Sequence, residues 1–172
     1  MMKRLSRISA IFSLLLAALS VQTCGIYTFS GTSVQPDVKT ITIDYVEYKA
    51  LRVNPNLAGN LTDALKEKYR RMTKLEQVEM DGDMEVACEI TGYDTRAMAV
   101  TADEVAAKNR LTVTVKCTFT NRKHPDDDFS KSFSAYADYD SMNSLDAVEG
   151  TLCEDIVEQL VEDILNATVA NW

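Results

Sequence analysis

Side chains that could do acid, base or nucleophilic chemistry are few in this sequence. Its only histidine, His124, lies in a polar stretch with Asp126, Asp127 and Asp128. A Ser-His-Asp or Cys-His arrangement needs a histidine base held in place by other groups, and a histidine in a polar turn is usually solvated. The stretch has donors for a weak cation site, but it lacks the ligand spacing and glycine of a calcium loop. We therefore expect a hydrated turn, with no catalytic residue, cofactor or metal.

Cys24 indicates a different chemistry, because it follows a basic stretch and then an apolar one. Three basic residues precede an apolar run at residues 11–21, which is shorter than the roughly 20 residues that span a bilayer. This order is typical of an export signal, and a cysteine at its end resembles a bacterial lipobox, although Thr23 stands where Gly, Ala or Ser is usual. We expect residues 1–23 to be removed and Cys24 to carry acyl chains, which anchor stably when more than one is present.

Two alternatives for Cys24 stay open. Cleavage by the ordinary signal peptidase would leave it as a plain thiol, and an uncut signal would act as a membrane anchor. Lipidation is favoured because Cys24 lies where the apolar run stops. No later apolar stretch is long enough to cross a membrane. We therefore expect a tether at residues 24–37 and a single domain at residues 38–172, held at the membrane by its N-terminal lipid.

The charge of the chain excludes some classes of partner. Of 172 residues, 149 follow position 23; these carry 15 basic and 26 acidic side chains, a formal net charge of −11, against −8 for the whole chain. Such a domain lacks the basic footprint of nucleic-acid-binding proteins, so we expect no nucleic acid partner. Its length is that of one ordinary domain with a real hydrophobic core.

Three cysteines follow Cys24: Cys88, Cys117 and Cys153. They are too scattered to form the clustered ligand set of a zinc site. Free buried cysteines behave as small apolar residues, and an oxidising compartment also permits a disulfide. Free thiols and a Cys88–Cys117 bridge therefore both remain open.

Alternating apolar residues predict four strands. The four strands are expected at residues 39–48, 84–93, 109–121 and 129–139. In the first, Ile41, Ile43 and Tyr45 are expected to point to the same face. The last three follow one another through turns, which predicts an antiparallel meander with one solvated face.

Two segments have the apolar spacing of amphipathic helices. The first begins near Asn54 and Pro55 and ends at Met72. The second begins after Ser144 and continues for more than five turns. The order β-α-β-β-β-α predicts an α+β fold: a two-layer sandwich with two helices packed on one face of a four-stranded, mostly antiparallel sheet.

A series of short segments, taken in order, resembles one known family. The segments are CGIYTFSG at residues 24–31, VNP at 53–55, TDALK at 62–66, EITGY at 89–93, NRLTV at 109–113, FSAYA at 133–137, EQLVEDI at 158–164 and NW at 171–172. Together they resemble the LptE-like lipopolysaccharide-assembly lipoproteins. The likeness spans nearly all of the chain after residue 23.

This resemblance implies an outer-membrane lipoprotein that faces the periplasm and is not an enzyme. It implies a role as plug and assembly partner of the LptD β-barrel, which brings lipopolysaccharide to the outer leaflet. It also implies lipopolysaccharide as a further candidate ligand, through charge-assisted contacts with phosphate. The candidate contact residues are Arg70, Arg71, Lys74, Arg122 and Lys123. Solvated surface charge is the alternative for these residues.

A second function remains open at this point. A periplasm-facing lipoprotein could serve as a scaffold or binding module for another envelope complex. Normal lipopolysaccharide display after depletion of the protein would favour that function.

Overall fold

A computed structural model of the chain describes residues 34–98 and 107–169. The expected signal at residues 1–23 and the expected lipid site at Cys24 lie outside the described residues, as do residues 24–33 of the expected tether. The elements in chain order are β1 (Thr40–Ile43), β2 (Glu47–Tyr48), α1 (Leu57–Met72), β3 (Glu76–Gln77), β4 (Met84–Ala97), β5 (Lys108–Asn121), a 3-10 turn (Pro125–Asp127), β6 (Phe129–Asp140) and α2 (Leu145–Val169).

The sheet is mixed and has six strands among the described residues, in the order β3-β1-β4-β5-β6, with β2 also paired to β4. β4, β5 and β6 form the predicted antiparallel meander. In contrast, β1 pairs in parallel with both β3 and β4, and β2 pairs in parallel with β4. The prediction of four strands was therefore wrong in count, and the sheet is mixed because the pairings of β1, β2 and β3 are parallel. The physical reason is that the chain returns through α1 between β1 and β4, and such a crossover brings strands together in parallel.

The first predicted strand is broken in the middle. Its backbone turns after Ile43, and the amide of Val46 donates to the hydroxyl of Thr62 in α1 at 3.0 Å. Val46 is therefore fully buried, whereas Tyr45 is 65% exposed. The prediction that Tyr45 shares a face with the buried Ile41 and Ile43 was wrong, because this contact with α1 shifts the alternation by one residue.

The core follows the predicted alternation along β4 and β5. Every second residue of each strand is buried from Met84 to Ile90 and from Leu111 to Phe119. The apolar stripes of the helices are buried in the same core. The stripe residues that are fully buried are Leu61, Leu65, Tyr69, Ile156, Leu160 and Ile164. Burial of each aliphatic side chain contributes about 1.5–3 kcal/mol.

The two helices run in the same direction. Asn54, just before α1, donates to the Cys153 sulfur in the first half of α2 at 3.6 Å. Near the other ends, Tyr69 of α1 is hydrogen-bonded to Thr168 of α2. α1 also contacts β1 and β3, and α2 contacts β5 and β6. The helices therefore run parallel and end together at one end of the sheet, whereas α2, with 25 residues against 16, begins before α1 does.

Candidate functional site

The side of the meander opposite the core carries short polar side chains and charges. We call it the open face; its residues are Glu85, Glu89, Arg110, Thr112, Thr114, Lys116, Thr118, Ser130, Ser132, Ser134, Tyr136 and Asp138. Cross-strand pairs use the hydroxyls: Thr114 Oγ1 and Ser134 Oγ lie 2.9 Å apart, and Thr118 Oγ1 and Ser130 Oγ lie 3.3 Å apart. These pairs make a flat polar surface whose side chains have little freedom to lose on binding.

The largest charged group of the open face is fixed by three contacts. Arg110 makes a two-bond fork to Asp138, with Nε–Oδ1 at 2.7 Å and Nη2–Oδ2 at 2.9 Å. Its guanidinium lies 3.6 Å from the ring centroid of Tyr136. The hydrogen bond from Arg110 holds the pKa of Asp138 below its ordinary value. Sequence reasoning missed this group, because residues 26 to 28 positions apart meet only through the strand register.

A second group on the open face is also neutralised internally. Glu89 contacts Lys49 and, at 3.2 Å, Lys116. Hydrogen bonds from Lys49 and then Lys116 hold the pKa of Glu89 below its ordinary value. The open face is therefore polar without a strong field of either sign, which differs from the acidic chain as a whole.

Two of the candidate contact residues, Arg122 and Lys123, lie in the turn between β5 and β6. Arg122 pairs with Asp81 at 2.8 Å and with Glu85 at 3.2 Å. Lys123 pairs with Asp83 at 3.3 Å and donates to the backbone carbonyl of residue 37 at 2.8 Å. Neighbouring carboxylates thus offset both charges, and the turn ties together three segments of the chain.

The acidic stretch around His124 is part of the same turn. Nε2 of His124 lies 3.0 Å from an oxygen of Asp37, and that hydrogen bond lowers the pKa of Asp37. Asp127 accepts from Gln35 at 2.7 Å, and Asp128 accepts from the amide of Asn121 at 2.6 Å. These carboxylates hold the N-terminal segment and the turn in place.

The other three candidate contact residues lie at the end of α1. Arg70 pairs with Glu67 at 2.6 Å. Arg71 and Lys74 are exposed and have no ion pair within residues 34–98 and 107–169. Arg71 also borders a groove of about 520 Å³ between the helices, whose apolar floor includes Ala64, Val157 and Val161. Of the five candidates, Arg70, Arg122 and Lys123 are therefore ion-paired, whereas Arg71 and Lys74 have no ion pair among the described residues.

Within the residues that the structure describes, no three Cys, His, Asp or Glu side chains come together as a metal-binding group. None of the helices among these residues has the length and apolar character needed to cross a membrane.

Comparisons with known proteins concern the family and the fold. The family model for LptE, described as lipopolysaccharide-assembly, matches residues 38–168. The fold is similar to that of the hypothetical protein CT253 from Chlamydia trachomatis, with a TM-score of 0.53 and 12% identity over 78% of this chain and 99% of that one. A minor lipoprotein from Acinetobacter baumannii aligns with a TM-score of 0.49 and 13% identity, over 75% of this chain and 91% of that one.

No functionally curated protein matches the sequence. At 12% identity the chlamydial structure shows a shared fold alone. The family match shows the family as well as the fold, because residues 38–168 make up about three quarters of the 172 residues. It confirms the resemblance found in the sequence: this chain belongs to the LptE lipopolysaccharide-assembly family.

Proposed function

We propose that this protein is an outer-membrane lipoprotein that plugs an LptD-type β-barrel, assists its assembly and so takes part in lipopolysaccharide transport to the outer leaflet. Membership of the LptE family indicates the role in lipopolysaccharide assembly. The structural observation that supports the plug role is the open face, a polar sheet surface that neither helix covers. The interior of an outer-membrane barrel is polar, so a polar, internally neutralised surface suits it.

The other side of the domain has a different character. The exposed side of α2 carries a dense set of carboxylates. These carboxylates are Glu154, Asp155, Glu158, Glu162 and Asp163. Packing them against a wall would require desolvation of many charges, which is costly unless each is paired. The open face is therefore the surface that we assign to the barrel wall.

The lipid anchor is the second part of the proposal. Acylation of Cys24 would hold the domain at the inner surface of the outer membrane. The first described residues are fixed on the domain, since Gln35 and Asp37 are hydrogen-bonded to the turn between β5 and β6. Residues 35 and 37 therefore lie at the end of the domain where β5 finishes and the helices end.

Lipopolysaccharide contact is the third part. We assign the phosphate contacts to Arg71 and Lys74, because their charges have no carboxylate partner among the described residues. Arg122 and Lys123 are given a structural role instead, since separating them from their carboxylates would cost the energy of several ion pairs. A phosphate near Arg71 could be bound by two parallel hydrogen bonds.

Crosslinking tests the plug role directly. A photoreactive residue at position 114 or 118 of the open face is expected to capture a large β-barrel protein in intact cells. The matched controls place the same residue at positions 155 and 163 on the exposed side of α2. Capture from the control positions alone would refute the assigned orientation. Capture from none of the four positions would refute the plug role.

A further inference from the structure

Cys88 and Cys117 lie directly opposite each other in the antiparallel pair of β4 and β5. Opposite residues in such a pair alternate between two kinds of site. At one kind they exchange backbone hydrogen bonds, and at the other they do not and their Cα atoms are closer. Which kind of site the two cysteines occupy decides whether their sulfurs could be bonded without moving the strands.

The backbone of β4 answers this question. The carbonyl of Val86 accepts from the amide of Asp44 at 3.1 Å, on the β1 side of β4. The carbonyl of Ile90 accepts from the amide of Lys49 at 2.9 Å, on the same side. In a strand, residues two positions apart point their backbone groups to the same side, and Cys88 lies two positions from both Val86 and Ile90. Its backbone groups therefore also point away from β5, and the cysteine pair occupies a non-hydrogen-bonded site.

The geometry of that site matches the geometry of a disulfide. Cα atoms at a non-hydrogen-bonded site are about 4.5 Å apart, and disulfides span Cα separations of about 4.4–6.8 Å. The register shift in β4 lies beyond the pair, between Ile90 and Gly92. Both side chains point into the core and carry free thiols, and the neighbouring Cys117 side chain is the main cause that raises the pKa of Cys88 above its ordinary value. The backbone geometry at this pair therefore permits a bond between the two sulfurs.

The remaining described cysteine has different neighbours. The sulfur of Cys153 accepts from the side-chain amide of Asn54 at 3.6 Å and lies 3.9 Å from the hydroxyl of Tyr93. It therefore has no part in the cross-strand pair, which accounts for the odd number of cysteines after Cys24.

The helices cover the cysteine pair in the folded protein. Cys88 is 5% exposed and Cys117 is fully buried, in the same core as the apolar stripes of the two helices. The thiolate is the form that reacts in disulfide exchange, and the raised pKa of Cys88 keeps that thiol protonated. An oxidant can therefore reach the pair only before the helices pack on the sheet.

We propose that Cys88 and Cys117 form a cross-strand disulfide in the exported protein. The proposal rests on the export that is part of the proposed function, because exported proteins meet an oxidising compartment. The oxidant is a protein or small molecule that carries a disulfide. One cysteine thiolate attacks that disulfide and forms a mixed disulfide, and the second thiolate then attacks the sulfur on the chain. The pair loses two electrons and two protons, and the oxidant leaves as two thiols.

Alkylation and mass spectrometry test the proposal in two arms. In the first arm, the full chain is isolated from cell envelopes and alkylated with N-ethylmaleimide in denaturant without reductant. In the second, reduced full chain is unfolded and refolded in a mixture of oxidised and reduced glutathione before the same treatment. Both arms are expected to give one linked pair of peptides that contain Cys88 and Cys117, with Cys153 alkylated.

Each other outcome has a definite meaning. Alkylation of both Cys88 and Cys117 in both arms, or a link that includes Cys153, would overturn the proposal. A link in the refolding arm but not in the envelope arm would overturn the proposal that the exported protein carries the bond, and would show only that the two cysteines can be bonded in the native fold. A link in the envelope arm alone would support the proposal and assign bond formation to a cellular oxidant rather than to glutathione.

Variants and reduction add a stability readout. Cys153→Ser is expected to leave the linked peptides unchanged, whereas Cys88→Ser should leave Cys117 open to alkylation. Wild-type protein that is reduced in denaturant and refolded under reducing conditions is expected to unfold at a midpoint about 10 °C below that of the oxidised protein, given the loop of about 30 residues that the bond closes. This last measurement needs no variant, so it holds even where Cys88→Ser does not fold; an unchanged midpoint would count against the bond.

Discussion

The hydroxyl of Tyr69 in α1 is hydrogen-bonded to the hydroxyl of Thr168 in α2, where the two helices end side by side. Thr168 Oγ1 also lies 2.9 Å from the carbonyl of Ile164, to which it donates. A hydroxyl has one proton, so Tyr69 is the donor in the bond between the helices. Both side chains are buried, which makes this a directional polar contact inside an apolar core.

The two partners of this bond are expected to respond differently to substitution. Tyr69→Phe leaves Thr168 bonded to its own helix, so we expect a loss of about 1 kcal/mol in unfolding free energy. Thr168→Val leaves the Tyr69 hydroxyl buried without an acceptor, so we expect about 2 kcal/mol. Urea unfolding measures both, and the double variant should lose less than the sum. A larger loss for Tyr69→Phe than for Thr168→Val would contradict the assigned direction of the bond.

The start of α1 depends on the side chain of Asn54. Its Oδ1 accepts from the amides of Asn56 at 3.1 Å and Leu57 at 3.2 Å, which would otherwise have no partner in the first turn. Asn54→Ala is expected to reduce the unfolding free energy by about 1 kcal/mol. Asn56→Ala is the matched control, because Asn56 is exposed and makes no side-chain cap; we expect less than about 0.5 kcal/mol there. Equal losses in urea unfolding would refute the capping role.

Asp83 gives the domain an acid-sensitive contact. One of its oxygens accepts from the amides of Lys39 at 2.8 Å and Thr40 at 3.1 Å. Chiefly through these bonds, with the bond to Lys39 the strongest, the pKa of Asp83 falls from its ordinary 3.8 to about 2. The lowered pKa means that the native state favours the carboxylate, so its stabilising effect is complete above the ordinary value and is lost as the pH falls from about 4 to about 2.

Replacement of this carboxylate should remove that part of the pH dependence. Asp83→Asn is expected to be less stable than the wild type near neutral pH, with the difference shrinking as the pH approaches 2. Chemical unfolding over this pH series measures it. Asp126→Asn serves as control, since Asp126 is an exposed carboxylate of the neighbouring turn and should leave the profile unchanged. A constant difference between Asp83→Asn and wild type at every pH would be inconsistent with the lowered pKa.

The fork between Arg110 and Asp138 requires an arginine. Arg110→Lys keeps the charge but loses one of the two parallel bonds and the planar contact with Tyr136. We expect a loss of about 0.5–1 kcal/mol in unfolding free energy. Arg96 lies opposite Arg110 in β4, so Arg96→Lys is the matched control and should change stability by less than about 0.3 kcal/mol. The same loss in both variants would show that the fork adds nothing to stability.

The end of α1 is expected to control binding to lipopolysaccharide. Arg71→Ala and Lys74→Ala should each weaken binding to lipopolysaccharide-containing vesicles about fivefold at low salt, the effect of roughly 1 kcal/mol per charge. Added salt should reduce the difference. Binding of fluorescently labelled protein measures this. Arg122→Ala is the control: it should lower the unfolding free energy and leave vesicle binding nearly unchanged. An equal effect of all three variants on binding would contradict the assignment to the end of α1.

Long regular elements were predictable from the sequence, and short ones were not. The alternation along β4 and β5 and the stripe in each helix are set by burial, which repeats with the period of the element. β2 and β3 contain two residues each, too few for a period to be seen. Val46 is buried because it meets Thr62 of α1, and no local pattern encodes that contact.

The candidate site was less predictable than the fold. A sequence shows where basic residues lie, but the availability of a charge depends on which carboxylates the fold brings beside it. Arg122 meets Asp81 and Glu85 only because the turn after β5 packs beside the start of β4. The hydroxyl pairs of the open face depend on strand register in the same way.

The mixed sheet has a consequence for the order in which the protein folds. The pairing of β5 with β6 begins at Phe119 and Phe129, which are ten positions apart, whereas β1 joins β4 across about forty positions. Closing the longer loop costs more chain entropy, and distant pairings form more slowly than local ones. We therefore expect the meander to be the folding nucleus, with β1 and α1 joining it late. The hairpin of β4 and β5, which carries Cys88 and Cys117, would therefore form early and stay uncovered until α1 packs on it.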